Sequence, residues 1–156
     1  MNKMDNYKEE KEDTGESKVA LFVDGPNMLR KEFMIDLREL RRRVQKYGRL
    51  MIAKVFINQF APEKLIEAII NEGYECVVIL AQKEEDATDV DVSLAVAAIE
   101  TVLTKDVDVI ALATRDADFL PVIQKGKEYG KKVVVLGAEP GFSSSLQNAA
   151  DAVEMM

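Results

Sequence analysis

The chain of 156 residues contains no histidine and only one cysteine, Cys76. These absences exclude a serine–histidine–aspartate triad, a zinc site built from histidine and cysteine, and a disulfide within the chain. Proton transfer would therefore have to use a carboxylate, a lysine, a tyrosine or a metal-bound water. We assign no role to Cys76, because a cysteine in a short apolar run usually behaves as a small core residue.

Long apolar runs are also absent. The longest ones, such as residues 76–81, are far shorter than the roughly 18 apolar residues that a membrane-spanning helix needs. The amino terminus is polar and highly charged, and it lacks the apolar stretch of a signal peptide. We therefore expect a cytoplasmic protein with no membrane partner.

Acidic residues outnumber basic ones by 28 to 21, which gives a net charge of −7. Nucleic-acid-binding surfaces are more often basic, so the total charge argues weakly against such a partner. Residues 1–17 hold six acids and three bases, which leaves −4 for residues 18–156. Bound divalent cations would offset this remainder, so net charge does not decide the function class.

Two regions differ in composition. Residues 1–17 lack hydrophobic periodicity and are rich in lysine, glutamate and aspartate, which predicts a disordered charged tail. Residues 18–156 show no internal repeat and no further change of composition, so we expect them to form one domain. The whole chain is 47% apolar and 31% charged, as is typical of globular proteins.

Short apolar runs alternate with amphipathic segments along this domain. The runs are almost continuously apolar, which is typical of parallel strands covered on both faces. The predicted strands are residues 19–23, 50–57, 76–81, 109–113 and 133–136. The predicted helices are residues 36–47, 62–73, 90–103, 117–129 and one that opens at 143–145. This order predicts an α/β fold, a three-layer α/β/α sandwich with a mostly parallel central sheet.

Capping signals support these helix boundaries. Asp36 and Glu39 have the spacing of a capping box, and Gly48 follows the same helix as a stop signal. Pro62 suits a first helical turn. For the helix 90–103 the periodicity predicts an apolar side made of Val92, Ala95, Val96, Ile99, Val102 and Leu103.

Acidic residues follow two of the predicted strands. Asp24 ends the first strand, and Gly25 with Pro26 predicts a sharp turn that presents Asn27. Capping of a helix is the alternative for Asp24, but the end of a buried strand is a costly place for an unpaired carboxylate. In open α/β sheets, ligands bind beyond the carboxyl ends of the strands, so we expect a site there.

Three further acids point to the same site. Asp116 and Asp118 follow the fourth strand at a helix start, where the helix dipole would account for one acid more readily than for two. Asp91 shares a helical stripe with Leu94, Ala95 and Ala98, so it should face inward. Asp89 would point elsewhere.

Four inward carboxylates require a counter-charge, because mutual repulsion would otherwise raise their pKa values and weaken the fold. A divalent cation supplies that charge. Ligands that are all oxygen select Mg²⁺ or Mn²⁺ rather than zinc. Since Mg²⁺ usually binds through one or two carboxylates together with phosphate oxygens, the pattern indicates chemistry on phosphate esters.

Four segments of the chain together resemble the NYN domain, which belongs to the PIN-like ribonuclease group, and the LabA-like branch is the nearest. The segments, which are specific as a set, are VDGPN (23–27), VDVSLAV (90–96), TRDADF (114–119) and SLQNAAD (145–151). The resemblance covers residue 18 to the end. It implies a PIN-like, Rossmann-like fold that binds Mg²⁺ or Mn²⁺ and cleaves RNA.

The resemblance also implies roles for particular residues. Asp24, Asp91, Asp116 and Asp118 would be the metal ligands, directly or through water. Asn27 would orient the pocket, and Thr114 occupies the position of a small hydroxyl residue. Two positions depart from the family pattern: Ala97 stands where LabA-like members often have aspartate, and Arg115 stands where glycine is usual. Ala97 removes a potential ligand, whereas Arg115 either tightens the loop or contacts a phosphate.

Other residues are candidates for RNA binding. Arg42 shares a helix face with Arg38 and Lys46 that could follow a phosphate backbone, although a solvated charged face explains them equally well. Ser143 and Ser145 open the last helix, where backbone N–H groups could hold a phosphate or the serines could simply cap the helix. Few aromatic residues are available for base stacking, so we expect weak sequence preference.

The favoured hypothesis is therefore a metal-dependent ribonuclease. A non-catalytic module that binds RNA or protein is the alternative, and Ala97 is its best support. Phosphoryl transfer through an aspartyl intermediate is less favoured, because no Asp-x-Asp-x-Thr run begins at Asp24 and Lys132 begins rather than ends the fifth strand. Nucleotide binding is also less favoured, because the sequence contains neither of the two glycine-rich nucleotide-binding motifs. Self-association and a protein partner both stay open.

Overall fold

A computed structural model of the chain describes residues 17–156. Its centre is a six-stranded sheet in the order β3-β2-β1-β4-β5-β6, and every neighbouring pair is parallel. This confirms the predicted α/β fold with a parallel central sheet. The strands are β1 (Lys18–Asp24), β2 (Arg49–Asn58), β3 (Glu75–Ile79), β4 (Val109–Ala113), β5 (Lys132–Gly137) and β6 (Ala152–Met155).

Helices form the connections between the strands. They are α1 (Gly25–Met28), α2 (Leu37–Val44), α3 (Glu63–Asn71), α4 (Thr88–Thr104), α5 (Leu120–Glu128) and α6 (Ser144–Ala149). Three short 3₁₀ turns accompany them, at Lys31–Phe33, Gln45–Tyr47 and Ala117–Phe119. One half of the predicted capping box of α2 is confirmed, because the Asp36 side chain accepts hydrogen bonds from the backbone N–H groups of Arg38 and Glu39. The Glu39 carboxylate instead accepts from the side chains of Arg42 and Arg43.

Two hydrophobic cores lie on opposite faces of the sheet. Alternate residues of β1 point to opposite sides, so that Leu21 joins one core and Phe22 the other. Helices α2 and α3 cover the face of Leu21, whereas α4, α5 and α6 cover the face of Phe22. The three predicted layers are therefore present.

The sixth strand was not predicted from the sequence. β6 is only four residues long, and Glu154 interrupts its apolar character. Glu154 is nevertheless buried at 8% exposure, where it accepts a hydrogen bond from the Tyr47 hydroxyl at 2.5 Å and pairs with Lys46 at 2.9 Å. These partners come from the end of the α2 region, so only tertiary contacts make a strand with a buried acid stable.

The prediction of which residues form the buried side of α4 was only partly correct. The fully buried residues are Val90, Leu94, Ala98, Thr101 and Val102. Of the predicted side, Val102 is thus buried, and Ala95 and Ile99 are partly buried against the same core. Val92, Val96 and Leu103 are 57%, 59% and 52% exposed, respectively. Since the helix is apolar on most of its circumference, periodicity alone could not show which side faces the sheet.

The segment after β1 also differs from its prediction. The expected sharp turn is the one-turn helix α1. Asp24 precedes this helix as the N-cap residue, and Pro26 occupies its first turn.

The predicted charged tail, apart from Ser17, lies outside the described residues. Among residues 17–156, no helix is both long enough and apolar enough to cross a membrane.

We expect Gly25→Ala to destabilise the protein by about 3 kcal/mol, because the added Cβ would lie 2.4 Å from the Phe56 carbonyl oxygen. Gly130→Ala is the matched control: Gly130 has φ +78° but no heavy atom within 4 Å of the added Cβ, so we expect a loss of about 1 kcal/mol from backbone strain alone. Urea unfolding measures both variants, and equal losses would contradict this account.

Candidate functional site

The candidate site lies at the carboxyl ends of β1 and β4, which are neighbours in the sheet. The strand order reverses between them, since the chain runs outward from β1 to β3 on one side and from β4 to β6 on the other. Such a switch point leaves a crevice in which α/β proteins bind ligands. Asp24 is the last residue of β1, and Thr114 directly follows β4.

Three of the predicted acids form a tight cluster. One carboxylate oxygen from each of Asp91, Asp116 and Asp118 lies within 4.8 Å of the other two. Asp91 comes from the first turn of α4, on the same side as the buried Leu94, as the helical spacing predicted. The Asp116 carboxylate accepts a hydrogen bond from the Asp118 N–H at 2.9 Å, which fixes the loop after β4.

The fourth acid, Asp24, lies beneath this cluster and is only 1% exposed. Its Oδ2 atom accepts a hydrogen bond from the Thr114 hydroxyl at 2.9 Å. Its Oδ1 atom is buried and has no hydrogen-bond partner among the described residues. Asp24 lines a cleft of about 400 Å³ together with Asn27, Asp91 and Asp116.

Burial disfavours the charged forms of two of these acids. It raises the pKa of Asp24 to about 6, although the Thr114 hydrogen bond opposes this shift. Burial also raises the pKa of Asp91 to about 7, and repulsion from Asp24, Asp116 and Asp118 adds to the shift. The acids therefore affect one another electrostatically, as expected for groups that share one cleft.

The arrangement fits a hard divalent cation. Among residues 17–156, no ion pair joins any of the four acids to a lysine or an arginine. The unpartnered Oδ1 of Asp24 is a second indication, because a buried carboxylate oxygen without a donor is unfavourable. Oxygen ligands of this kind suit Mg²⁺ or Mn²⁺.

Thr114 connects two of the acids instead of contacting the cleft from its surface. Its hydroxyl donates to Asp24, and the same oxygen accepts a hydrogen bond from the Asp116 N–H at 3.2 Å. Thr114 is 1% exposed. Thr114 was predicted to bind substrate; in the structure it is buried, and its hydroxyl contacts Asp24 and the backbone of Asp116.

Arg115 tightens the loop, which is one of the two roles that its position predicted. Its backbone N–H donates to Asn27 Oδ1 at 2.8 Å, and its guanidinium donates to the carbonyl oxygens of Pro140 and Asn27 at 2.6 and 3.2 Å. The guanidinium also lies 4.1 Å from the centre of the Phe33 ring. These contacts bury Arg115 to 9% exposure, and its Nε is buried without a hydrogen-bond partner among the described residues.

The remaining substrate-binding candidates do not line the cleft, although the Ser143 N–H donates to the Arg115 carbonyl oxygen at 3.0 Å, next to Asp116. Arg42 pairs with Glu39 at 2.7 Å on α2, which covers the face of the sheet opposite α4. Ser143 caps α6 by accepting a hydrogen bond from the Leu146 N–H, and its hydroxyl lies 2.9 Å from that of Ser145. Neither the arginine nor the serines line the cleft. Their observed contacts are those of the alternatives: Arg42 belongs to a charged helix face, and Ser143 caps a helix.

Three charged residues that line the cleft were not predicted, namely Arg30, Glu84 and Glu85. Arg30 follows α1, and its guanidinium lies 5.9 Å from the centre of the Phe33 ring. The signal in the sequence that could have identified Arg30 is its position three residues after Asn27, a predicted site residue. The two glutamates belong to the acidic run that precedes α4, and a run of that kind usually indicates only a solvated loop.

Ala97 does not line the acidic cleft. It lies in a separate groove beside α4, together with Lys54, Val77 and Ile79. Ala97 is six residues beyond Asp91, so it is about 9 Å farther along the helix and on a different side. The lack of a carboxylate at this position therefore takes no ligand from the four-acid site.

Comparisons with known proteins agree with this architecture. The model of the NYN domain family matches residues 18–155. The uncharacterized protein MJ0482 of Methanocaldococcus jannaschii is 52% identical over 147 residues, which are 94% of this chain and 58% of that protein. The chain thus spans little more than half the length of this relative.

A solved structure has the same fold. It is a protein of unknown function, VPA0982 from Vibrio parahaemolyticus, with a TM-score of 0.76 and 24% sequence identity. The match covers 90% of this chain and 93% of that one. At this identity the likeness shows the fold alone.

We expect Asp91→Asn to stabilise the metal-free protein above pH 7. The unfolded chain releases this proton near pH 3.8 and the native chain near pH 7, so the native state binds more protons between these values. Its free energy of unfolding therefore falls as the pH rises through this window. Removal of the charge should restore about 2 kcal/mol at pH 8 and nothing at pH 3.5.

Urea unfolding in the presence of a chelator measures this effect at both pH values. Glu63→Gln is the matched control, since it removes a carboxylate from the first turn of another helix, α3. If Asp91→Asn were less stable than the unmodified chain at pH 8, the claim that burial and repulsion destabilise the charged Asp91 would be wrong.

We expect Arg115→Lys to cost about 2 kcal/mol, because a lysine cannot donate to the Asn27 and Pro140 carbonyl oxygens while it stacks on Phe33. Arg42→Lys is the control, since its side chain is 73% exposed and a change there should cost less than about 0.5 kcal/mol. Thermal or urea unfolding compares the two variants. Similar losses would show that the Arg115 contacts do not hold the loop.

Proposed function

Since the chain belongs to the NYN domain family, which is part of the PIN-like nuclease superfamily, we propose that it is a metal-dependent ribonuclease. It would hydrolyse RNA phosphodiester bonds at the acidic cleft with Mg²⁺ or Mn²⁺ as cofactor. Membership of the LabA-like branch stays a prediction. The chain spans 58% of the length of its relative MJ0482. What this chain binds or cleaves as part of a longer protein is therefore a proposal as well.

One observation carries the proposal. A buried carboxylate oxygen without a partner, Asp24 Oδ1, belongs to a residue that lines the same cleft as Asp91 and Asp116, which cluster with Asp118. A purely structural carboxylate in such a position would be expected to have a donor for each oxygen. A cation-binding site accounts for both the missing donor and the crowding of like charges.

The roles of the residues follow from their positions. Asp24, Asp91, Asp116 and Asp118 would hold the cation, directly or through water. When bound, Mg²⁺ or Mn²⁺ polarises phosphoryl oxygens and lowers the pKa of a coordinated water, so no histidine is needed. Thr114 keeps the carboxylate of Asp24 and the backbone of Asp116 at a fixed separation.

Two further groups would act on the RNA or on the shape of the cleft. Asn27 lines the cleft, and Arg115 fixes it by donating to both its side-chain and its backbone oxygens. Arg30 contributes a half-exposed guanidinium to the wall of the cleft, and this group pairs with Glu32 at 2.8 Å. There it would bind a phosphate next to the one that is cleaved.

The test is cleavage of a set of labelled single-stranded and hairpin RNAs with and without Mn²⁺. We expect a chelator to abolish cleavage and Asp116→Asn to lower its rate about a thousandfold, since the substitution removes one anionic ligand. Asp116→Asn should keep the native circular dichroism spectrum. Glu63→Gln, which removes an equivalent charge from α3, should cleave at the unmodified rate.

Metal binding distinguishes the two hypotheses that the sequence left open. Calorimetric titration with Mn²⁺ should show binding to the unmodified chain and much weaker binding to Asp116→Asn. Binding without cleavage of any RNA in the set would favour the non-catalytic module. Metal-dependent cleavage that persists in Asp116→Asn would overturn the assignment of the site.

A further inference from the structure

Helix α4 has two apolar faces, of which only one is fully buried within the chain. The first face packs into the core through Val90, Leu94, Ala98 and Val102. The second face consists of Val92, Val96, Ile99 and Leu103, and within it only Ile99 also packs against that core. Ile99 is half-buried, and the other three residues are more than half exposed.

The second face has the spacing of a helix–helix seam. Its residues are four, three and four positions apart, which is the a/d pattern of a coiled coil. This pattern reads the same in both directions. Two copies of α4 that cross in opposite directions would therefore place Val92 against Leu103 of the other copy, and Val96 against Ile99 of the other copy.

Charges at the two ends of the helix suit this antiparallel arrangement. Asp89 lies in the first turn of α4, one helical turn before Val92 on the same side. Lys105 follows the last residue of the helix. The antiparallel register would bring Lys105 of one copy beside Asp89 of the other, and the neighbouring Asp106 is already paired with Lys18 at 2.7 Å.

The second face continues into an apolar groove. The groove lies between α4 and the strands β2 and β3, is lined by Phe56, Val77 and Ile79, and has a volume of about 350 Å³. β3 is an edge strand of the sheet. A seam of four residues alone buries less surface area than a stable interface needs. The groove would add buried area beside the helix pair.

Residues 1–16 are a poor match to this face. They hold six acids and three bases, and their only large apolar or aromatic side chains are Met1, Met4 and Tyr7. A segment of this composition has too few apolar side chains to fill both the seam and the groove. A second copy of the chain, in contrast, supplies the same four apolar residues in the complementary order.

We infer that the chain forms a homodimer in which two α4 helices pack antiparallel through Val92, Val96, Ile99 and Leu103. The interface is isologous, as a two-fold axis requires. The axis passes near the middle of the seam, so the two Asp91 residues are about 20 Å apart along the helix direction, given a rise of about 1.5 Å per residue. This inference does not depend on the proposed nuclease activity.

The first test is sedimentation of the full chain over a range of concentrations. We expect a dimer, and we expect Val96→Lys to raise its dissociation constant about a hundredfold, because each dimer loses two buried valines and gains two charges. Val78→Lys is the matched control, since Val78 is also exposed, at 47%, but lies on β3 outside the seam and the groove lining. Native circular dichroism spectra would show that both variants fold.

The second test fixes the direction of the helices. In a Cys76→Ser background, Val92→Cys and Leu103→Cys are made separately and treated with a short bismaleimide cross-linker. A mixture of the two variants should form cross-linked dimers, whereas each variant alone should not, because equal residues are about 16 Å apart along the axis.

Several outcomes would overturn the inference. One is a monomer at all concentrations, which would leave the tail or a further protein segment as the occupant of this face. Another is a dimer that Val96→Lys does not weaken. Efficient cross-linking of Val92→Cys alone would exclude the antiparallel arrangement.

Discussion

The buried carboxylate of Asp24 is the constraint on which the rest of the site depends. It ends β1 at the point where the strand order reverses, and it is 1% exposed. One of its oxygens is satisfied by Thr114, which follows the neighbouring strand β4, and the other has no partner among the described residues. Burial raises its pKa to about 6, so the fold keeps a group there that is costly to ionise. Such a group is more readily explained by ligand binding than by stability.

The surrounding structure holds this carboxylate and its neighbours in place through a small number of polar contacts. Thr114 joins Asp24 to the backbone of Asp116, and Arg115 joins the loop after β4 to Asn27 and Pro140. Both residues follow a fully buried strand, so their backbone is well fixed. The acids at the surface of the cleft are therefore held in place by two residues that do not line it. Fixed groups of this kind avoid the cost of rearrangement in preorganised sites.

Much of this could be predicted from the sequence, because the signals were local. The five apolar runs identified five of the six strands, and the helical stripe of Asp91 showed that it faces inward. The missed strand, β6, contains Glu154, whose burial depends on Lys46 and Tyr47 from a distant part of the chain. Which side of α4 meets the sheet was also not predictable, since the helix is apolar on more than one side. The hydrogen bond of Thr114 to Asp24 depended on tertiary structure in the same way, whereas Arg42 and Ser143 make the local contacts that their alternatives predicted.

The sequence by itself determined the alternation of strands and helices and the positions of the acids at strand and helix ends, because apolar periodicity and turn chemistry act over a few residues. It also excluded chemistry that needs histidine. Only the tertiary structure decided that Asp24, Asp91 and Asp116 line one cleft, together with Arg30 and two glutamates. It also decided that the Arg115 guanidinium donates to the carbonyl oxygens of Pro140 and Asn27 and so holds the loop. These facts depend on which strands become neighbours and which helix face is buried, and no short segment of the chain carries that information.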